Sequence, residues 1–246
     1  MQYMGGKSRL AKSISRAILD NTSSRSLYLE PFVGGGSVLA EMAPEFTQSL
    51  AGDIQPDLIL MWNALLFDRW EPPVAVTEDE HRALKVAEPS ALRGFVGFGT
   101  SWGGRFFEGY ARSGKQDYAK TSASALLKKR GKILAGTWPL RMSNRPYQEW
   151  LPASGQVVYC DPPYAGTKKY SNVQDFDNAK FWATMDEWVC YGADVFVSEY
   201  TAPAHWDSVW EQGRKVTMDR LKNDDIAVTE HLFHRAPYSS RLEQAA

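Results

Sequence analysis

The stretch LYLEPFVGGGSVLAEM, residues 27–42, joins a predicted strand to a predicted helix through a run of three glycines. Small residues at such a position let a ligand approach the backbone, and the N–H groups at the start of the helix point outward. Residues 31–38, called the glycine turn below, match neither the P-loop nor the G-x-G-x-x-G dinucleotide pattern. On its own, the glycine turn is explained equally well as a purely structural feature.

Helices and strands alternate on both sides of the glycine turn. Apolar residues recur with helical spacing in three segments, KSRLAKSISRAIL, DLILMWNALL and NAKFWATMDEWVCYG (residues 7–19, 57–66 and 178–192). Strands are predicted at SLAGDI, QVVYCD and ADVFVSEY, with a terminal antiparallel strand at IAVTEHLFH (residues 49–54, 156–161, 193–200 and 226–234). This order predicts an α/β fold.

The middle of the chain differs from both ends in pattern and in charge. Residues 73–149 lose strand character and are predicted to form a helical insert between catalytic segments 1–72 and 150–246. The whole chain has a net charge of −1, but residues 105–145 carry +8 and the remainder carries −9. Such an asymmetry indicates a polyanionic partner that is contacted by one region only.

Composition excludes several other classes of protein. No apolar run approaches the length of a membrane span, and the start MQYMGGKSR has no apolar signal core, so we expect a cytoplasmic protein. Cys160 and Cys190 lie in or beside apolar stretches and are predicted to be reduced core thiols. The four histidines lack metal-ligand spacing, so no metal site is predicted.

Two acidic residues are predicted to lie at strand ends, where ligands bind in an open α/β sheet. In the run VVYCDPPY, Pro162 and Pro163 lack the N–H groups that a ladder needs, so the strand stops there and Asp161 marks its end. The backbone carbonyls of Asp161 and Pro162 are then left outside regular structure. Asp53 ends another strand and is placed to accept hydrogen bonds from ribose hydroxyls, which predicts a nucleoside-containing cofactor.

Taken together, these pieces resemble the D12 class of adenine-specific DNA methyltransferases, the family of the Dam methylase. The matching motifs, in the order typical of the family, are YMGGK, EPFVGGGSV, GDI, DPPY and TEHLF (residues 3–7, 30–38, 52–54, 161–164 and 229–233). The resemblance implies a Rossmann-like, S-adenosylmethionine-dependent methyltransferase sheet with a helical target-recognition insert. It also implies a bacterial cell or a phage-infected host as the setting.

The resemblance implies a cofactor site and a catalytic turn. The positions matched to S-adenosylmethionine contacts are Tyr3, Lys7, Glu30, Phe32, Gly34, Gly36, Asp53, Ile54 and Asp161. The catalytic positions are Asp161, Pro162, Pro163 and Tyr164, called the DPPY turn below. The N6 amine of adenine is a poor nucleophile, so the Asp161 carboxylate and the Pro162 carbonyl are expected to hold its two N–H groups while Tyr164 stacks on the base.

A base inside a duplex cannot reach such a turn, so flipping of an adenine out of double-stranded DNA is expected. Phe176 and Tyr170 are candidates for the other face of the base, with packing inside the loop equally open. Ser198 and Glu199 are predicted to form a simple turn, with a position near the pocket as the alternative. The candidate DNA contacts, to guanine edges or to phosphates, are Arg105, Arg112, Lys128, Lys129, Arg130 and Lys132.

Two other functions stay open. An RNA adenine N6-methyltransferase would use the same amine chemistry, and an inactive DNA-binding relative would keep the fold without the reaction. Cytosine-C5 methylation is disfavoured because it needs a Pro-Cys nucleophile, whereas Cys160 precedes the carboxylate. The stretch SWGGRFFEGYAR, residues 101–112, only loosely matches the Arg-Tyr-Asn element of many relatives, so no target sequence is inferred.

Overall fold

The structure is a computed structural model that describes residues 1–113, 117–136, 139–164, 176–219 and 224–237. Within these ranges the strands are β1 (Leu27–Glu30), β2 (Gln48–Asp53), β3 (Leu140–Asn144), β4 (Val157–Cys160), β5 (Asp194–Glu199), β6 (Asp207–Asp219) and β7 (Asp224–Arg235). The α-helices of the same ranges are α1 (Ala11–Asp20), α2 (Leu39–Met42), α3 (Pro56–Phe67), α4 (Glu78–Lys85), α5 (Ala91–Gly99), α6 (Tyr118–Leu134) and α7 (Asn178–Cys190).

The strands form a mixed sheet in the order β3-β2-β1-β4-β5-β7-β6. Neighbours β2 and β3, β1 and β4, and β4 and β5 pair in parallel, whereas β7 pairs antiparallel with both β5 and β6. Every residue of β4 and β5 is buried, which explains why central parallel strands read as continuous apolar runs. The α/β, Rossmann-like fold class and the antiparallel terminal strand are confirmed.

The chain divides into two compact units, and each is described by itself below. The first unit comprises residues 1–12 and 30–149, and the second comprises residues 13–29 and 150–246. The first unit therefore contains β2, β3 and helices α2 to α6, and the second contains β4 to β7 and α7. The domain boundaries predicted from the sequence stay a prediction.

In the first unit, α4, α5 and α6 lie in the predicted insert, and so does strand β3. No strand was predicted there, because the alternation of buried and exposed positions in LRMSN covers only five residues. Helix α4 begins with a capping box in which Thr77 and Glu80 bond reciprocally. Helix α5 packs closely on α3, since a Cβ at Gly94 would lie 2.3 Å from the Asp57 carbonyl oxygen.

In the second unit, β6 was also missed from the sequence. Its residues DSVWEQGRKVTMD are polar and are interrupted by glycine, and the pairing with β7 shifts register twice along its length. The cysteine prediction is correct for Cys160, which is buried, and wrong for Cys190, which is exposed. Cys190 ends α7, and the buried face of that helix is formed by Phe181, Met185, Trp188 and Val189.

None of the helices in the described ranges is both long enough and apolar enough to span a bilayer.

Candidate active site

The glycine turn of the first unit has a backbone that only glycine fits at two positions. Gly34 and Gly36 have φ angles of +45° and +62°, in the left-handed region. A Cβ on Gly34 would lie 2.9 Å from Cε1 of Tyr3, and one on Gly36 would lie 2.5 Å from Cζ2 of Trp62. The Trp62 indole N–H also donates to the Gly34 carbonyl at 3.0 Å. The turn is therefore held by the two aromatic side chains that its glycines admit.

Asp53, at the end of β2, is buried and fixes the same turn. Its two carboxylate oxygens accept the backbone N–H groups of Gly34 and Gln55, both at 3.0 Å. Burial raises the pKa of Asp53 to about 6, although bonds from backbone N–H groups act in the opposite direction. Each carboxylate oxygen carries two lone pairs, so Asp53 retains acceptor capacity for a ligand.

Asn144, at the end of β3, holds the backbone beyond β2. Its side-chain amide donates to the carbonyls of Asp53 and Ile54, at 2.9 and 3.0 Å. The Ile54 side chain is 64% exposed. Asn144 was not among the predicted site residues, because the strand that carries it was missed.

Aromatic rings accompany these polar groups in the first unit. The ring of Tyr3 lies 5.0 Å from that of Phe98, and the ring of Phe32 lies 5.4 Å from that of Tyr147. Tyr3 and Phe32 are half-buried, whereas the side chain of Lys7 is buried. The predicted cofactor residues of this unit thus combine apolar faces with buried charge.

Lys129 belongs to the basic cluster of α6, the run KKRGK at residues 128–132, and lies against the glycine turn. Its ammonium donates to the Gly35 carbonyl and, at 2.9 Å, to the Ser37 hydroxyl. Burial lowers the pKa of Lys129 to about 8, and the carboxylate of Glu30, which is itself buried, opposes that shift. Lys129 was predicted as a DNA contact, and the one signal for its placement against the turn was its spacing along the helix.

The other predicted DNA contacts of the first unit lie at the surface. Lys128 is exposed and Arg130 is half-buried. The remaining three form ion pairs, Arg105 with Glu108, Arg112 with Glu78 and Lys132 with Glu41. Exposed pairs of this kind contribute little to stability, so their cations can exchange a carboxylate for a phosphate at small cost.

The DPPY turn belongs to the second unit and begins directly after β4. Asp161 is half-buried, Pro162 is buried and Pro163 is exposed. Two consecutive prolines fix two φ angles and remove two N–H donors, so the turn is stiff and cannot extend the strand. The carboxylate of Asp161 is thereby carried at the end of a fully buried strand.

Tyr164, the last residue of the DPPY turn, is held on two sides. Its hydroxyl donates to the carboxylate of Glu230 on β7, and its ring meets that of Tyr200 edge to face, with centroids 4.6 Å apart and planes at 84°. Burial, together with the charges of Asp161 and Glu230, raises the pKa of Tyr164 well above its usual value. The ring is therefore neutral and oriented at physiological pH.

Glu230 was not predicted as a site residue, although it lies within the TEHLF motif. Its relative exposure is 0%, and it occupies an inward position of the alternating strand β7, where an acid is unexpected. An acid at an apolar position of the alternating pattern was the sequence signal that could have identified Glu230 as a site residue. Ser198 and Glu199 are the last residues of β5 and not a simple turn, and the Ser198 hydroxyl lies 2.9 Å from that of Tyr159.

Phe176 is half-buried, and its ring lies 5.5 Å from that of Phe181 on α7. This contact matches the packing alternative for Phe176, and the role of the residue in holding a base stays a prediction. Tyr170, the other candidate, lies outside the described residues.

Comparison with known proteins gives low similarity to solved structures. One is a proposed RNA methyltransferase from Pyrococcus horikoshii, with a TM-score of 0.45 and 6% identity over 93% of this chain and 84% of that chain. A second is the magnesium protoporphyrin IX methyltransferase from Synechocystis with bound S-adenosylmethionine, with a TM-score of 0.39 and 9% identity over 94% of this chain and 80% of that chain. A third is an rRNA methylase from Streptococcus thermophilus, with a TM-score of 0.38 and 6% identity over 91% of this chain and 95% of that chain. No curated protein sequence gives a significant match.

A family model gives a match that covers most of the chain. It describes the D12 class N6 adenine-specific DNA methyltransferases and matches residues 3–89 and 105–187. The matched ranges include the glycine turn, Asp53 and the DPPY turn, so the predicted resemblance is confirmed. The chain belongs to the D12 class N6 adenine-specific DNA methyltransferase family, and its methyl donor is S-adenosylmethionine.

Proposed function

We propose that this methyltransferase transfers the methyl group of S-adenosylmethionine to the N6 amine of a flipped-out adenine in duplex DNA. The observation that supports this most strongly is the DPPY turn. It combines a carboxylate at the end of a buried strand with a stiff Pro-Pro backbone and a neutral tyrosine ring held by Glu230 and Tyr200. Family membership supports adenine in DNA as the substrate.

The residues of the first unit fit the cofactor that the family uses. Asp53 is a buried acceptor with lone pairs left for ribose hydroxyls, and the left-handed glycines let a ligand approach the backbone of the turn. We assign the adenosine part to Phe32, Asp53 and Ile54, and the rest to Tyr3, Lys7 and the glycine turn with Glu30. When bound, S-adenosylmethionine supplies an electrophilic methyl group.

The DPPY turn is assigned the task of making the amine nucleophilic. The lone pair of the adenine N6 amine is delocalised into the ring, and two acceptors that hold its two N–H groups favour a pyramidal nitrogen. We assign these roles to the Asp161 carboxylate and the Pro162 carbonyl. As positive charge develops on the nitrogen, the carboxylate stabilises the transition state, and the Tyr164 ring fixes the plane of the base by stacking.

Duplex DNA as the substrate is supported by the basic middle of the chain. The charge of +8 over residues 105–145 suits a phosphate backbone, and Lys128 and Arg130 are candidates for such contacts on α6. Arg105 and Arg112 are candidates for either phosphates or guanine edges. Extrusion of the adenine is required because the amine is not accessible inside the stack.

The test is a methyl-transfer assay with labelled S-adenosylmethionine on duplex DNA and on RNA of the same sequence, followed by digestion to nucleosides. We expect N6-methyladenine from the duplex, formed more slowly by about a hundredfold or more when Asp161→Ala replaces the wild-type enzyme. Label recovered only from RNA, or in cytosine, would overturn the proposed substrate. If neither the DNA nor the RNA is labelled while cofactor binding is intact, the protein is an inactive relative.

A further inference from the structure

Helix α6 carries a charged residue on its buried face. The buried residues of the helix lie on one face, at helical intervals of three, four or seven positions, and are Ala119, Ser122, Ala123, Leu126 and Ile133. Lys129 follows Leu126 by three positions and precedes Ile133 by four, so it occupies a position where this pattern calls for an apolar side chain. A lysine there must desolvate its ammonium, which is unfavourable unless polar partners replace the lost water.

Those partners belong to the glycine turn. The ammonium of Lys129 donates to the Gly35 carbonyl and to the Ser37 hydroxyl, so one side chain bonds to two points of the turn. On Gly35, a Cβ would lie 3.1 Å from the Cβ of Tyr3 and 3.7 Å from the Lys129 ammonium. Both Tyr3 and Lys129 thus lie against the middle of the turn.

Two ionisable groups interact electrostatically with Lys129, the Glu30 carboxylate and the Met1 amine. Glu30 favours the charged form of Lys129, and burial, together with Lys129 itself, lowers the pKa of the Met1 amine to about 5, so that amine is neutral at pH 7. Among the charged groups that α6 meets, Glu41 of α2 pairs with Lys132. Asp57 of α3 pairs with Arg93 of α5.

We propose that Lys129 is a positioning residue for the cofactor. Through its bonds to Gly35 and Ser37 it ties the glycine turn to α6 and thereby sets the affinity for S-adenosylmethionine. The inference rests on the proposed assignment of the cofactor to this turn. It gives the insert a second role, since a helix predicted to contact DNA also supports the cofactor site of its own unit.

The experiment is calorimetric titration of S-adenosylmethionine into wild-type enzyme and into Lys129→Met, which removes the ammonium and keeps an unbranched side chain one atom shorter. Loss of hydrogen bonds made by a charged donor should weaken binding by about tenfold or more. Methionine leaves the Gly35 carbonyl and the Ser37 hydroxyl without this donor, so the melting temperature should fall, and the titration is run well below it. Lys120→Met, at an exposed lysine of the same helix, is the matched control and should leave the dissociation constant unchanged.

A pH series separates charge from simple packing. Because the pKa of Lys129 lies at about 8, wild-type affinity should fall between pH 7 and pH 9 as the ammonium loses its proton. The amine of the ligand titrates in every experiment, so the readout is the difference between the wild-type enzyme and Lys129→Met. We expect the extra alkaline loss of affinity in the wild-type enzyme alone.

Asp53→Ala, measured in parallel, separates this inference from the proposed cofactor site. If Asp53→Ala weakens binding and Lys129→Met does not, Lys129 only packs and the inference is wrong while the cofactor assignment stands. If neither variant weakens binding, the assignment and the inference fall together. Should Lys129→Met unfold at the assay temperature, Ser37→Ala replaces it, because it removes one bond of the same lysine. A smaller loss of affinity in Ser37→Ala supports the inference, and an unchanged affinity overturns it.

Discussion

At the scale of single residues, Asp53 and Asp161 show how the surroundings of a carboxyl group decide what it does. Burial raises the pKa of Asp53 to about 6, and its carboxylate accepts two backbone N–H groups, which fixes the glycine turn. Asp161 is half-buried at a strand end and precedes a backbone that prolines make stiff. We therefore expect Asp53 to act on binding and Asp161 to act on rate.

Cofactor affinity should depend on the ionisation of Asp53. Because the carboxylate is the form that accepts ribose hydroxyls, the affinity for S-adenosylmethionine should decrease as the pH falls below about 6, by up to about tenfold per unit. Titrations between pH 5 and pH 8 measure this. Asp53→Ala should bind weakly at every pH, and Glu45→Ala, at an exposed carboxylate of the same unit, should retain the wild-type curve.

The same raised pKa has a consequence for stability without ligand. The folded state binds the Asp53 proton more tightly than the unfolded chain does. Protonation of Asp53 therefore stabilises the fold fully below about pH 4, and this contribution is lost as the pH rises through 6. At neutral pH the buried charge costs on the order of 3 kcal/mol. Urea denaturation should therefore show Asp53→Ala gaining stability relative to the wild type as the pH increases.

Asp161→Ala should slow methyl transfer and leave the fold intact. Removal of one preorganised partner of a transition state reduces the rate by about a hundredfold or more. Single-turnover kinetics with saturating cofactor and duplex test this, together with a thermal melt to confirm folding. Near wild-type turnover in the variant would show that the carboxylate has no such role.

At the scale of elements, a turn that accepts only glycine can be compared with a helix that does not need it. Gly36 has a left-handed φ and meets Trp62, whereas Gly131 lies exposed in α6, with no heavy atom within 4 Å of an added Cβ. The two glycines therefore have opposite effects on the stability of their elements.

Gly36→Ala should destabilise the protein and weaken cofactor binding, while Gly131→Ala should stabilise it. The left-handed backbone alone costs alanine about 1–2 kcal/mol, and the contact with Trp62 adds to that. In a helix, replacement of glycine by alanine gains about 0.5–1 kcal/mol. Urea denaturation of both variants measures the two signs, and equal signs would contradict the conformational argument.

The elements that could be predicted from the sequence are those whose pattern is complete within a short window. Strand β4 is a continuous apolar run, β5 has the apolar centre VFV, and α3 is strongly apolar, so the local pattern was sufficient. Strand β3 alternates over only five residues, and β6 is polar and contains a glycine, so neither has a strong local pattern. Strand β3 pairs with β2, far away in the chain, whereas β6 pairs with β7, which follows it after four residues. The hydrogen bonds of these strands come from a partner strand, so the residue pattern within the strand itself does not predict them.

At the scale of the whole molecule, the uneven distribution of charge separates the insert from the rest of the chain. Residues 105–145 carry +8 while the remainder carries −9, so a polyanion should meet one region of the chain. The structure divides the basic cluster by role, since Lys129 contacts the glycine turn and Lys132 pairs with Glu41. Lys128 and Arg130 remain as the cluster's candidates for phosphate.

Replacement of Lys128 and Arg130 by glutamine should weaken binding to all duplexes to a similar extent. Each lost phosphate contact should lower the slope of log affinity against log salt by about 0.9. Fluorescence anisotropy at several salt concentrations measures the slope, and cofactor affinity should stay unchanged. Lys12→Gln with Arg16→Gln, on the exposed face of α1, makes the same change in net charge and should leave the slope as it is.

The candidate site was predictable where a motif carries the chemistry, and not where a contact joins distant parts of a unit. The glycine turn, Asp53 and the DPPY turn were identified from residue types at strand ends. Lys129 was predicted as a DNA contact like its basic neighbours, because its contact with the glycine turn depends on how α6 packs. Glu230 was not predicted for a similar reason, because its partner Tyr164 follows the end of a different strand.

The contact between Gly36 and Trp62 also constrains how this chain can change its sequence. Two penalties oppose a larger residue at position 36, and only the steric one depends on the indole ring. A smaller side chain at position 62 removes that part, so the two substitutions together should be less harmful than the sum of their separate effects. The order of the two changes then matters, because an alanine at position 36 is better tolerated once the tryptophan has been lost.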